Sequence, residues 1–314
     1  MQMAKDDSVN DLLSNGYECL KNADLATAGR FFDEALGKDY DNEEVLFAMK
    51  CNLFWTEQLE EASGIEPLLE RGDFMIEQWR GFQVFLSRIT GNSDRALYAF
   101  KRMVFSVALD FFLALPDESK KSLGTALDFR IGRCRKALGD YETAIKHFER
   151  AAKFRKDDAR FLAELADCYA ISGDQRLSKI MFRDAFLFEP DKVDLEFLEA
   201  GMIRKLEELV RESGHSGSML NEWVPVYGEL SGILDIKRDL SQAEVARLNT
   251  SILHMENERK TYPARTEQLK PRLLNQYFRY MDYLKAAQSD SARLEKVLLK
   301  IRLLDEDVYK KYVS

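Results

Sequence analysis

The sequence predicts an all-α protein, and three observations lead to that class. The 314 residues include only 16 glycines and 6 prolines, and long stretches of Ala, Leu, Glu, Lys and Arg favour helices. Hydrophobic residues make up 46% and charged residues 32%, which is the balance of a folded chain rather than a disordered one. Residues 138–153 also recur in similar form 34 residues later, and such a period is typical of stacked helix pairs.

The 34-residue repeat carries the same residue types at the same offsets. Gly139, Asp140, Phe148 and Ala151 return as Gly173, Asp174, Phe182 and Ala185. Small residues let the two helices of a pair cross closely, and large apolar residues fill the space towards the next pair. One pair cannot bury its apolar face alone, so the repeat predicts a stack of pairs.

These positions resemble the tetratricopeptide repeat (TPR) family. In the best copy, residues 159–192, the matching residues are Leu162, Leu165, Ala166, Tyr169, Phe182, Ala185 and Pro190. The preceding copy, residues 125–158, matches at Gly132, Ala144, Phe148 and Ala151. The resemblance implies a right-handed α-superhelix of helix-turn-helix units. We expect Gly132, Ala144, Phe148, Ala166, Phe182 and Ala185 to be buried between helices.

Weaker copies precede these two. They span residues 9–42 and residues 43 to about 72, and a third begins near residue 73, with a second helix that runs on through Leu115. The resemblance thus implies about five TPR-like repeats over residues 9–192, two of them well matched. Pro116 ends the long helix, and a loop follows it before Thr125.

Helical patterns continue through residues 193–314 without a clear repeat. One helix is predicted over residues 193–213, and Ser241 with Glu244 forms a capping box for a helix that runs to about Lys260. Residues 272–307 have the pattern of a degenerate helix pair, and a short terminal helix follows. These additional C-terminal helices form either irregular, degenerate repeats or a capping subdomain.

Composition and charge disfavour several kinds of protein. The net charge of -8 argues against a general nucleic-acid binder, because phosphate contacts need clustered cations. The longest apolar run, residues 103–116, contains Asp110 and is too short for a membrane span. The N-terminus lacks a secretory layout, and four cysteines without a CxxC pair predict buried free thiols. We therefore expect a cytoplasmic protein.

No pattern of catalytic residues emerges from the sequence. Phosphate-binding glycine loops and the HExxH zinc motif are missing, and His147, His215 and His254 are isolated from one another. Acidic pairs are common, but in so acidic a chain they are typical of solvated helix faces. We expect a chain that is not an enzyme, with no catalytic residues, no metal site and no cofactor.

The resemblance implies a binding groove lined by the first helix of each pair. In that family the groove receives peptides or partner helices. Its predicted lining in the first three repeats is apolar and aromatic: Leu13, Tyr17, Phe47, Trp55, Trp79, Phe82 and Leu86. Such a stripe on an open surface marks an interface. The alternative is that these residues belong to the core, or that the C-terminal helices fill the groove.

Three arginines extend the predicted groove into the fourth and fifth repeats. Arg130, Arg133 and Arg160 fall on or near the same inner face, and guanidinium groups suit carboxylates on a partner. The alternative is that they pair with acids of the chain itself.

The predicted function is that of a non-catalytic scaffold or adaptor. It would bind a partner protein, as a peptide or an amphipathic helix, in the concave groove. The alternative is a structural subunit of a larger or self-associating assembly. Neither hypothesis involves nucleic acid or a membrane span.

Overall fold

The computed structural model describes residues 2–155 and 158–314, with side chains from residue 8 onwards. Every regular element in this part of the chain is helical: sixteen α-helices and three short 3-10 turns, without a strand. The predicted all-α class is confirmed. The contacts group the chain into two compact units, and the division falls between Ala151 and Ala152. We call them unit 1 and unit 2.

Unit 1 consists of seven helices and most of an eighth. They are α1 (Gln2–Leu20), α2 (Leu25–Lys38), α3 (Glu43–Ser63), α4 (Leu68–Leu86), α5 (Asp94–Leu113), α6 (Asp117–Leu123), α7 (Thr125–Ala137) and α8 (Tyr141–Phe154). Helix α5 packs against α1, α3, α4 and α7, so it lies at the centre of the unit.

Unit 2 contains the remaining eight α-helices. They are α9 (Ala159–Ile171), α10 (Gln175–Phe188), α11 (Gly201–Glu212), α12 (Ser218–Leu230), α13 (Gln242–Thr261), α14 (Thr266–Ala286), α15 (Ser291–Leu304) and α16 (Glu306–Val313). Short 3-10 turns at Pro190–Lys192, Leu195–Phe197 and Pro263–Arg265 join some of them. Helix α14 packs against α10, α12, α13 and α15.

The hairpins α1/α2, α7/α8 and α9/α10 share one turn. Each turn has a residue with positive φ, 55° at Ala23, 84° at Gly139 and 97° at Gly173. The next residue is an aspartate whose carboxylate accepts a backbone N–H of the following helix, and these are Asp24, Asp140 and Asp174. Glycine suits the left-handed backbone, and the aspartate replaces a missing intrahelical acceptor.

A phenylalanine packs against the same helix position in the first two of these hairpins. A Cβ on Gly132 would lie 2.8 Å from the Phe148 ring, and a Cβ on Gly16 would meet Phe32 in the same way. The side chains of Phe32, Phe148 and Phe182 are fully buried. The predicted burial of Gly132, Ala144, Phe148, Ala166, Phe182 and Ala185 is confirmed.

Alanine at Gly132 is expected to lower the free energy of unfolding by about 1 kcal/mol. The overpacking cost against Phe148, about 1–3 kcal/mol, exceeds the gain of about 1 kcal/mol in helix propensity. The matched control is Gly37→Ala in α2, where nothing lies within 4 Å of the new Cβ and stability should rise slightly. Urea unfolding of both variants checks this, and shifts of the same sign in both would contradict it.

The second predicted repeat differs from the observed helices. The pattern predicts a helix pair over residues 43 to about 72, but α3 is one unbroken helix of 21 residues and α4 starts at Leu68. The reason is local, because the first glycine after Asn42 is Gly64, where α3 ends. The predicted loop after Pro116 also contains the short helix α6.

The predicted boundary near residue 192 does not coincide with the division into compact units. Helices α9 and α10 share an apolar core with the helices that follow them, in which Phe182 and Phe186 are grouped with Leu198 and Ile203. Residues 156 and 157, at the predicted end of the fourth copy, lie outside the described residues. The sequence repeat therefore continues to residue 192, whereas the packing divides the chain between Ala151 and Ala152.

The C-terminal predictions agree better with the structure. The capping box of Ser241 and Glu244 is present, and α13 ends at Thr261. Helices α14 to α16 match the predicted pair and terminal helix. The helix predicted over residues 193–213 begins only at Gly201, because the Asp167 carboxylate accepts the backbone N–H groups of Glu199 and Ala200 before it.

A buried ion-pair network crosses unit 2. Arg183 on α10 donates to Glu229 on α12 and, over 2.5 Å, to Asp282 on α14. Lys237, in the loop after α12, contacts the same two carboxylates at 2.9 and 2.5 Å. These four side chains therefore hold α10, α12 and α14 together around one charged cluster.

A second set of ion pairs adjoins this cluster. Arg238 contacts Asp184 at 2.7 Å and Glu244 at 2.5 Å, and Arg279 contacts Asp184 at 2.8 Å. Hydrogen bonding from Arg238 lowers the pKa of Glu244 to about 2. Burial alone would raise the pKa of Glu229, but Arg183 and Lys237 hold it below its usual value.

Unit 2 is expected to lose stability as the pH falls below about 4.5. Carboxylates with lowered pKa values in the folded state stabilise it fully above their unfolded pKa, near 4.3, and lose that contribution as they protonate. For Glu244 the loss should extend to about pH 2. Thermal melts between pH 2 and 6 check this, and Glu244→Gln should flatten the dependence. An unchanged profile in that variant would contradict the assignment.

Candidate partner-binding surface

The predicted aromatic lining of a groove lies mostly in the core of unit 1. Leu13, Tyr17, Phe47, Trp55 and Phe82 are all buried, so the prediction that they line an open groove is wrong. Helices α4 and α5 of the same unit pack over α3, and α5 also packs on α1. The apolar stripe is core, which is the alternative that the sequence left open.

The remaining two residues of the stripe are only partly covered. Trp79 stacks on Trp55 with ring centres 6.3 Å apart and meets the edge of Phe105, while Leu86 is half-buried near the end of α4. The polar end of Tyr17 is also occupied, because its hydroxyl donates to Glu44 over 2.9 Å. Burial and this carboxylate raise the pKa of Tyr17.

The predicted arginines engage their own units. Arg130 makes a two-pronged contact with Asp73, with 2.6 and 2.7 Å between nitrogen and oxygen atoms. The Arg133 guanidinium is buried and lies 4.7 Å from the centre of the Phe129 ring. Arg160 contacts Asp158, two residues away, at 2.8 Å. The alternative of local pairing accounts for Arg130 and Arg160.

Three of the four cysteines lie in the core. All four cysteines are free thiols, and Cys51, Cys134 and Cys168 are buried as predicted. Burial raises the pKa of Cys51 to about 12, which keeps it protonated. Among the described residues, no group of three or more His, Cys, Asp or Glu side chains is arranged to hold a metal ion. In the same part of the chain, none of the helices has both the length and the apolar character to span a bilayer.

A different surface combines exposed apolar and charged side chains. A cavity of about 330 Å³ lies between α13, α14 and α15 in unit 2. Its floor contains the buried side chains Ile252, Tyr277 and Val297. We call this cavity and its rim the C-terminal groove.

The rim of the C-terminal groove is cationic on one side and apolar on the other. Arg293, Lys296 and Lys300 line it from α15, and Leu253, which is 58% exposed, lines it from α13. The three cations follow one another at helical spacing, so they lie on one face of α15. The buried positions Val297 and Ile301 orient that face by packing beneath it.

Few of these positive charges are neutralised. Lys300 contacts Glu256 at 2.6 Å, and Tyr277 donates to the same carboxylate over 2.7 Å. Arg293 meets Asp290 only at 3.9 Å, with both side chains exposed, and such a pair contributes little. Lys296 has no acidic partner within the described residues. In that same part of the chain, no carboxylate lines the cavity itself.

Sequence reasoning missed the C-terminal groove, although a signal for it exists. Arg293, Lys296 and Lys300 form a cationic stripe at helical spacing in a chain of net charge -8. The sequence does not reveal that α13 packs beside α14 and α15. This packing places Leu253 at the rim of the groove, opposite the three cations. The chain matches no protein-family model, and no curated protein matches it significantly.

Proposed function

We propose that this chain is a non-catalytic scaffold that binds a segment of a partner protein in the C-terminal groove. The three hairpins with the same turn and the same buried phenylalanine support a TPR-like stack of helix pairs for part of the architecture. Proteins of that kind serve as binding platforms because their extended surfaces offer many side chains to a partner.

One observation carries this proposal: the groove has an apolar floor, an exposed leucine and three cations, and its described lining contains no carboxylate. An exposed leucine beside buried apolar side chains offers hydrophobic contact to an incoming side chain. Of the three cations, Arg293 and Lys296 lack a close carboxylate partner and favour carboxylates next to that side chain. The complementary occupant is therefore an acidic amphipathic helix or peptide.

The size of the groove sets how much of that segment it holds. A cavity of about 330 Å³ lies at the lower end of ligand sites, so it accommodates one or two large apolar side chains. Acidic residues one helical turn away would reach Lys296 and Arg293, which lie three residues apart on α15. The anchor residue would provide most of the affinity, and the cations would set orientation and association rate.

A peptide-display selection on the full chain tests the proposal with a random library, so the partner need not be identified first. We expect enriched peptides to carry a large apolar residue flanked by Asp or Glu. Binding of a selected peptide, measured by fluorescence anisotropy, should weaken about tenfold or more in Lys296→Glu. It should also weaken in Leu253→Asp, because a charge then occupies the apolar rim.

The matched control is Lys205→Glu, which makes the same charge change at an exposed position on α11. This control should bind the selected peptide as the wild type does. Peptides without acidic residues, or equal losses in Lys205→Glu and Lys296→Glu, would rule out the groove as the site. Circular dichroism of each variant separates a binding loss from unfolding.

A second candidate function, self-association, is favoured by two exposed leucines. Leu299 and Leu303 are 54% and 73% exposed and lie one turn apart on α15. They offer a small apolar face to a second copy or to an assembly. Light scattering during size-exclusion chromatography tests this. A mass above one chain that returns to one chain in Leu303→Glu would support self-association, and a concentration-independent monomer would reject it.

A further inference from the structure

A second cavity in unit 2 lies between the loop after α12 and the C-terminal half of α14. It encloses about 380 Å³. Its wall carries four cations, Lys237, Arg238, Arg279 and Lys285, and two acids, Asp239 and Asp282. The positively charged side chains that face the cavity thus outnumber the acids.

The buried cation on this wall, Arg279, shares its carboxylate partner with another cation. Arg279 is only 3% exposed, and its carboxylate partner, Asp184 at 2.8 Å, is shared with Arg238. The Nε of Arg279 has no hydrogen-bond partner among the described residues. Burial, with Arg183 close by, lowers the pKa of Arg279. An anion in the cavity would offset the repulsion between Arg279 and Arg183.

The exposed cation on the wall is Lys285. The Lys285 ammonium lies 5.4 Å from the centre of the Tyr312 ring, and within the described residues it has no carboxylate partner. By contrast, Lys237 contacts both Glu229 and Asp282, and Arg238 contacts Asp184 and Glu244. A ligand would therefore recruit Arg279 and Lys285 before the other two cations.

All but one of the carboxylates around the cavity are paired with cations of the chain. Asp184, Glu229 and Asp282 each accept contacts from two cations, and Glu244 accepts from Arg238. Asp239 is exposed. The last carbonyls of α14, those of Tyr283, Leu284 and Lys285, accept the N–H groups of Ala287, Ser289 and Gln288. The ion pairs of the carboxylates and the hydrogen bonds of these carbonyls reduce the repulsion that an incoming anion would meet.

We propose that this cavity binds a small molecule through an oxyanion group, a carboxylate or a phosphate, held between Arg279 and Lys285. Arg279 keeps its contact with Asp184 and adds positive charge at the wall, while the Lys285 ammonium offers N–H donors to the oxygens of such a group. The volume is that of a small-metabolite site. Leu240, Ala286 and Ala287 provide apolar wall for the rest of the molecule. This site is separate from the C-terminal groove and does not depend on the function proposed for it.

Titration calorimetry on the full chain, with sodium phosphate and with sodium succinate, tests the proposal. Chloride holds the ionic strength constant, because ion pairs respond to salt. We expect at least one probe to bind with a Kd below about 10 mM, and the stronger probe identifies the oxyanion as phosphate or carboxylate. Lys285→Glu should weaken that binding about tenfold or more.

Two further variants make the result decisive. Lys205→Glu changes charge by the same amount at an exposed position on α11, outside both cavities, and should leave oxyanion binding unchanged. Arg279→Gln should abolish oxyanion binding while the helical circular dichroism persists. If Arg279→Gln does not fold, the weakened binding expected in Lys285→Glu tests the proposal instead. Binding of neither probe, or equal weakening by Lys285→Glu and Lys205→Glu, would overturn the proposal.

Discussion

Replacing Trp55 with alanine is expected to lower the free energy of unfolding of unit 1 by about 3–5 kcal/mol, the range for truncating a buried aromatic residue. The side chain is fully buried, and its ring centre lies 5.2 Å from those of Phe54 and Phe82. Alanine would leave a cavity at the centre of an aromatic cluster that joins α3, α4 and α5. Urea unfolding followed by circular dichroism measures the loss.

The control for Trp55→Ala is Trp55→Phe. The indole N–H of Trp55 has no hydrogen-bond partner among the described residues, so phenylalanine removes an unsatisfied donor while it keeps most of the ring volume. Its cost should stay below about 1.5 kcal/mol. Equal losses in both variants would mean that ring packing is not what Trp55 contributes.

The same packing predicts that Trp79→Ala lowers stability rather than partner binding. A groove residue would lose partner binding without loss of stability, but Trp79 stacks on Trp55 and contacts Phe82 and Phe105. We expect this variant to lower the melting temperature of unit 1 and to leave the affinity per folded molecule unchanged. Unchanged stability together with weaker partner binding would restore the groove interpretation.

Replacing Arg183 with methionine is expected to destabilise unit 2 by about 3–5 kcal/mol, the cost of removing one member of a buried ion pair. Glu229 and Asp282 would then share only Lys237, whose side chain is 40% exposed. The methionine keeps most of the apolar length of the side chain, so the loss reports the charge and the hydrogen bond that Arg183 donates to the Leu234 carbonyl. Urea unfolding measures the size of the loss.

A compensated variant separates charge from packing. When Arg183→Met is combined with Glu229→Gln and Asp282→Asn, the buried carboxylates no longer lack a partner, and part of the stability should return. That result would show that the ion-pair network stabilises unit 2 little more than a neutral core of similar shape would. A triple variant less stable than Arg183→Met alone would contradict this account.

The hairpins were predictable because their determinants are local. Gly132 with Phe148, and Gly139 with Asp140, specify a crossing and a turn within a few tens of residues, and both are present. The capping box of Ser241 and Glu244 is local in the same sense. In each case a short stretch of sequence contains both partners of the interaction.

The candidate site was not predictable in the same way. The sequence contains the aromatic residues of α3 and α4, but not the fact that the long helix α5 packs over them. An apolar stripe at helical spacing has the same appearance whether a helix or a solvent-exposed groove faces it. The C-terminal groove likewise needs α13 beside α15, and residue periodicity within one helix cannot specify its neighbour.

The ion pairs of unit 2 have a consequence for the order of events during synthesis. Arg183 and Asp282 are 99 residues apart in the chain, and Arg279 and Asp184 are 95 apart. At about 5–20 residues per second, Arg183 leaves the ribosome some seconds to tens of seconds before its partner on α14. Helix α10 can pack on α9 during that interval, but its guanidinium stays hydrated until α14 arrives. Contacts of such long range form late in folding, so the network should stabilise the finished unit by slowing its unfolding rather than by speeding its folding.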